Sequence, residues 1–213
     1  MGGIGRLIVF EGVEGCGKTT QLQRSQQWLQ SLPELSRQRA VVVTREPGGT
    51  ELGLGLRRLL LEEGASSPLA ELLLFAADRA QHVEEVLKPQ LALGAIILCD
   101  RYTDSTIAYQ GFGRGMSMEM IEQINMLASG GLQSDLTILL DIDPEISLKR
   151  KLVSRKLDRI EQTDLAFHHR VRNGYLTLAN KYPDRVVVVN AAQSADEIAL
   201  HIQNILHNFI QLW

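Results

Sequence analysis

Cysteine is scarce in this chain of 213 residues, with only Cys16 and Cys99 present. That pair makes no disulfide scaffold and argues for a reducing compartment. Long apolar runs are missing too: none approaches the roughly 18 residues that a membrane-crossing helix needs. Aromatic residues make up 5% of the chain, and a formal net charge of −3 gives no basic footprint, which argues against a protein that wraps nucleic acid. The opening MGGIGRLIVF reaches its first apolar run too early for a cleaved secretion signal. What is present is 45% hydrophobic residues, enough to exclude a disordered chain. The expectation is one cytoplasmic domain spanning 1–213, without membrane or nucleic-acid partners.

Five short runs rich in Val, Ile and Leu punctuate the chain: Leu7–Phe10, Ala40–Val43, Ala95–Cys99, Leu136–Ile142 and Arg185–Val189. They lack polar alternation, as parallel strands buried on both faces do. Helical spacing fills the segments between them. Ser67-Pro68 reads as a cap followed by proline in the first turn, and Ser194-x-x-Glu197 as a capping box. The last helix carries Ile198, Ile202, Ile205 and Phe209 on one stripe. Alternating strands and helices predict an α/β fold, a five-stranded parallel sheet flanked by helices in a three-layer sandwich.

Directly after the first run stand Gly12, Val13, Glu14, Gly15, Cys16, Gly17, Lys18, Thr19 and Thr20. They satisfy G-x-x-x-x-G-K-[ST] between an apolar strand and a helix-compatible Thr19–Leu29. Glycines there let backbone N–H groups turn around phosphate oxygens, aided by the helix N-terminus. Lys18 is expected on the β/γ-phosphates of ATP, and Thr19 on Mg²⁺. A guanine-reading alternative fails at Asn180-Lys181-Tyr182-Pro183, where proline replaces the aspartate such a motif needs. The third apolar run ends in Asp100, a second candidate for the metal, followed by Arg101 at the edge where α/β ligands bind.

With these residues in hand, the chain resembles the bacterial thymidylate kinase family of the nucleoside-monophosphate kinases. The matching segments are Phe10–Thr20, Thr44-Arg45-Glu46-Pro47-Gly48-Gly49, Leu74–Arg79, Asp100-Arg101-Tyr102, Ser105–Gly111 and Asp158–Gln162. The resemblance implies that Phe75 stacks on a thymine ring and that Arg79, four residues on, hydrogen-bonds the base and approaches its phosphate. His82, one turn further, has no assigned role. Arg45 and Arg101 would flank the acceptor phosphate, Glu14 would reach the sugar 3′-hydroxyl, and Tyr109 would lie against C2′. Ser105, Thr106 and Gln110 are candidates for the thymine edge. Cys16 reads as a small filler.

Between Lys149 and Arg159 the chain holds six basic residues and one acid, +6 − 1 = +5, which leaves −3 − 5 = −8 elsewhere. The resemblance places a mobile lid here, at about 149–161. A lid arginine would complete the catalytic set of Lys18 and Arg101; Arg155 is expected first, Arg159 second and Arg150 third. The implied reaction is Mg²⁺-dependent transfer of the ATP γ-phosphoryl to dTMP. A kinase for another pyrimidine monophosphate or a deoxynucleoside, or a non-catalytic regulator, are the competing readings. The family also implies a homodimer, for which the leucine-rich Leu52–Leu61 and Leu69–Leu74 are candidates.

Overall fold

A computed structural model of the chain describes residues 5–36, 39–63, 67–154 and 163–211. In chain order the elements are β1 (Arg6–Glu11), α1 (Lys18–Ser31), α2 (Pro33–Ser36), β2 (Val41–Arg45), α3 (Glu51–Arg58) and α4 (Pro68–His82). They continue with α5 (Lys88–Ala92), β3 (Ile96–Asp100), α6 (Thr103–Thr106), α7 (Met118–Ser129), β4 (Leu136–Asp141) and α8 (Pro144–Ser154). Last come α9 (Leu165–Lys181), β5 (Val186–Asn190) and α10 (Ala195–Gln211). π-Helical stretches at Leu59–Glu63, Val83–Leu87 and Ile107–Gly113 extend α3, join α4 to α5 and follow α6.

All five strands are parallel, in the order β2-β3-β1-β4-β5. The chain first builds the β2/β3 side and then crosses to the β4/β5 side. The crevice beside β1 is therefore the switch point, where such sheets bind ligands. Strand periodicity of two divides the core. Ile8, Phe10, Ile96 and Leu98 join one cluster with Ile138 and Leu140, while Leu7, Val9, Ile97 and Cys99 pack on the opposite face with Tyr102. The three central strands are buried on both faces as expected. The outer two are not: Val43 of β2 and Val188 of β5 are 40% and 41% exposed. Each edge strand has a single neighbour in the sheet among the described residues, which leaves part of it open even though α1 packs on β2 and α9 and α10 pack on β5.

Helix boundaries follow their local chemistry. Ser67 caps α4 with Pro68 in its first turn. The capping box at Ser194 forms in both directions: Ser194 N–H donates to Glu197, and Glu197 N–H donates to Ser194 Oγ. Ile198 and Ile202 of α10 are buried against the sheet. Lys149–Ser154, the start of the basic segment, continues α8.

Candidate active site

Strand register brings the first functional residues together, since Phe10 and Arg45 both pair with Asp100. The ends of β1, β2 and β3 thus open onto one cavity of about 460 Å³. Glu14, Gly15, Gly17, Lys18, Thr19 and Thr20 line one end of it, and Arg45, Phe75, Arg79 and Gln110 line the other. Asp100, Arg101, Ser105, Thr106 and Tyr109 also face it.

At the P-loop, Gly12 has φ 142°, and a Cβ there would stand 2.5 Å from the Leu140 carbonyl oxygen. Gly17 is left-handed at φ 97° with open space around it, so conformation rather than crowding requires glycine. Lys18 folds back over the loop, donating to the carbonyls of Gly12 and Val13 at 3.1 and 3.2 Å. Val13 and Cys16 turn inward to the hydrophobic core, so their side chains anchor the loop. Burial raises the pKa of the Cys16 thiol, in keeping with a filler.

Arg101 is the centre of the site and the one described non-glycine residue with positive φ, at 74°. A bulky residue bears that strain only when its surroundings hold it, and here they do. Its N–H donates to the Phe10 carbonyl. Its guanidinium donates to Ser105 Oγ at 3.1 Å, to the hydroxyls of Tyr175 and Tyr109 at 3.0 and 3.1 Å, and to Glu14. Burial works against its charge, but Tyr109, Glu14, Tyr175 and Glu11 outweigh it and raise the pKa well above the ordinary value.

Glu11 and Tyr175 were not legible as site residues. Fully buried Glu11 accepts from the N–H groups of Tyr102 and Ser105, from Ser105 Oγ at 2.6 Å and from the Tyr175 hydroxyl at 2.8 Å. Desolvation raises its pKa despite nearby Arg101. Tyr175 arrives from α9, 164 residues along the chain, and nothing local marks it. Glu11 carried a faint signal as an acid ending an otherwise apolar strand.

At the far end, Phe75 is half-buried on the cavity wall and Arg79 is 2% exposed. Four of Arg79's five N–H donors are taken: Nε by Glu46 at 2.8 Å, one Nη by Thr106 and Asn125 at 2.9 and 2.7 Å, the other by the Tyr102 carbonyl at 3.1 Å. One donor remains among the described residues. It suits a single acceptor on a base; a two-pronged grip on phosphate is out of reach in this arrangement. Thr106 is turned toward Arg79, and Ser105 toward Glu11 and Arg101. Tyr109 and Gln110 sit on the Ile107–Gly113 π-helical stretch, whose wide turn places both on the cavity. Exposed Arg45 and half-buried Arg57, not foreseen, complete the rim.

His82 is wholly buried. It bridges Glu46 Oε1 at 2.9 Å and Thr44 Oγ1 at 2.6 Å, tying α4 to the end of β2 and the residue after it. Arg150 lines the cavity too, but its guanidinium is given to the Ala191 and Ala192 carbonyls at 2.8 and 3.3 Å. Arg155 and Arg159 lie outside the described residues. Asp100 Oδ1 is buried without a hydrogen-bond partner among the described residues, an oxygen suited to a hard cation that Thr19 and nucleotide phosphates would share.

No helix among the described residues is long and apolar enough to cross a membrane. A thymidylate kinase family model matches residues 10–202. The chain is similar to a thymidylate kinase of Nostoc punctiforme, 61% identical over 206 residues and 95% of each chain. It is similar also to one of Gloeobacter violaceus, 50% identical over 206 residues and again 95% of each. The crystal structure of thymidylate kinase from Ehrlichia chaffeensis superposes with a TM-score of 0.78 at 33% identity, covering 96% of this chain and all of that one. Sequence, family match and fold agree, and the chain belongs to the thymidylate kinase family.

Proposed function

We propose that the chain transfers the γ-phosphoryl group of ATP to the phosphate of dTMP, giving dTDP and ADP. The observation that carries this reading is one cavity with a P-loop at one end and Phe75, Arg79 and Gln110 at the other. An acceptor phosphate oxygen attacks the γ-phosphorus while the bond to the β-phosphate oxygen breaks, and ADP leaves. The attacking oxygen is already anionic at neutral pH, so no strong base is needed. Catalysis is then positioning and charge neutralisation. Lys18 leaves its loop carbonyls for the donor phosphates, while Arg45 and Arg101 hold the acceptor. A lid arginine, Arg155 or Arg159, adds charge at the transferred group and helps exclude water. Thr19 and Asp100 would hold Mg²⁺, which supplies charge neutralisation on the phosphates when bound.

For the base, Phe75 offers a face for stacking, Arg79 its one remaining donor and Gln110 an amide. Tyr109 lies against the sugar and disfavours a ribose hydroxyl, with Glu14 near the 3′-hydroxyl. The chain works as one cytoplasmic domain, and two copies pair through α3 and α4. In support of that pairing, Leu60 and Leu72 are buried whereas Leu52, Leu59, Leu69 and Leu73 are 42–53% exposed.

The test is incubation with Mg-ATP and dTMP, dUMP, dCMP or thymidine, with products quantified. dTDP is expected as the dominant product. No turnover of any acceptor defeats the kinase reading, and preference for dCMP or thymidine defeats the substrate assignment.

A further inference from the structure

An amide can present either its oxygen or its NH₂ to a ligand, so a base pocket built on glutamine must fix which end faces in. Gln110 lines the cavity and is 2% exposed. Its Nε2 donates to Glu71 Oε1 at 3.0 Å. Glu71, on the first turn of α4 and 1% exposed, also accepts two hydrogen bonds from Arg114, Nε at 2.7 Å and Nη2 at 2.8 Å. That two-pronged pair sets a guanidinium against both carboxylate oxygens, and a carboxylate held so acts as an acceptor. A reversed amide would set acceptor against acceptor in a buried place. Gln110 therefore turns its NH₂ to Glu71, leaving Oε1 as the amide atom without a protein donor among the described residues.

Arg79 is fixed in the same manner from the other side. Glu46, 4% exposed, accepts from Arg79 Nε through Oε2, and its Oε1 meets His82 Nδ1. With Thr106, Asn125 and the Tyr102 carbonyl this sets the guanidinium plane, so the leftover N–H has one direction. The pocket then holds one fixed acceptor and one fixed donor. A 4-oxo pyrimidine, with N3–H beside O4, complements that pair. A 4-amino pyrimidine reverses both positions.

We propose that Glu71 and Glu46 are positioning residues that set the hydrogen-bond polarity of the base pocket, and so select a 4-oxo over a 4-amino pyrimidine. The inference rests on the dTMP reading above. It assigns the discrimination to two buried carboxylates placed behind the groups that meet the base.

The experiment is kcat/KM for dTMP and for dCMP, with the ATP KM, in wild type, Glu71→Gln and Glu46→Gln. A glutamine at 71 can donate or accept, so the amide of Gln110 loses its enforced orientation. The dTMP/dCMP ratio is expected to fall at least about tenfold in Glu71→Gln and about threefold in Glu46→Gln, with the ATP KM within about twofold of wild type. General damage to the fold would lower both acceptors and ATP together. Glu46 lies on a different segment from Glu71, so either variant, once folded, decides the matter: a wild-type ratio overturns the proposal. A wild-type chain that uses dCMP as well as dTMP overturns the substrate reading itself, before any variant is compared.

Discussion

The two ends of the cavity are built by opposite means. At the P-loop, Lys18 is held by carbonyls only five and six residues away, and glycine conformation shapes the turn. At the end proposed to take the base, Arg79 reaches Glu46, Thr106 and Asn125 across 33, 27 and 46 residues, and Gln110 reaches Glu71 across 39. One end is a local backbone device and the other a buried polar network assembled from distant segments. The difference fits the task. Phosphate is the same group in every nucleotide and can be met by N–H groups and a cation. A base must be told from close relatives, which takes fixed donors and acceptors in a desolvated place.

Substitutions at the two ends should therefore separate. Lys18→Ala is expected to have the largest effect, lowering kcat about 10²–10³-fold with the preference among acceptors intact. Steady-state assays with dTMP and dUMP check this, and a shifted acceptor preference would break the division between the ends.

Phe75→Ala strikes the opposite end. Base–aromatic stacking is worth roughly 1–3 kcal/mol, so the dTMP KM should rise about 5- to 150-fold with the ATP KM little changed. An unaltered dTMP KM in the same titration would remove Phe75 from the base site.

Asp78 gives the smallest effect and measures what the buried network costs. Its Oδ1 accepts the Gly48 N–H at 2.9 Å and its Oδ2 has no hydrogen-bond partner among the described residues. Burial, reinforced by nearby Glu46 and opposed by the Gly48 hydrogen bond, raises its pKa from 3.8 to about 6. The folded state thus keeps this proton to higher pH than the unfolded one. Stability falls as pH rises from about 4 to 6, and the cost is complete above that window. Asp78→Asn removes the titration, so its stability relative to wild type should improve by about 1–2 kcal/mol between pH 4 and pH 7. Denaturant unfolding at the two pH values reads this directly; an equal difference at both would show that Asp78 titrates normally.

Much of the frame was legible because its signals are short-range. All five strands, the caps at Ser67 and Ser194 and the P-loop follow from runs of a few residues. The shared face of Phe75 and Arg79 followed from their spacing of four, and the same spacing places Glu71 on that face. A charged Asp78-Arg79-x-x-His82 on a leucine-rich helix was a further signal, since charges there must be paired when buried. The edge exposure of Val43 and Val188 was not legible, because an apolar run does not say whether its strand has one neighbour or two.

Short-range chemistry sets the order of strands and helices, the phosphate loop and the small set of residues from which a nucleotide site could be drawn. Backbone propensity and hydrophobic period act over a turn or two of chain, and glycine spacing does the same. Tertiary structure alone decided that Arg79 keeps one donor free among the described residues, that Tyr175 joins Glu11 behind Arg101, and that Glu71 turns the amide of Gln110. Hydrogen-bond partners are chosen by packing across tens of residues. A buried polar group is then satisfied by whatever the fold brings beside it.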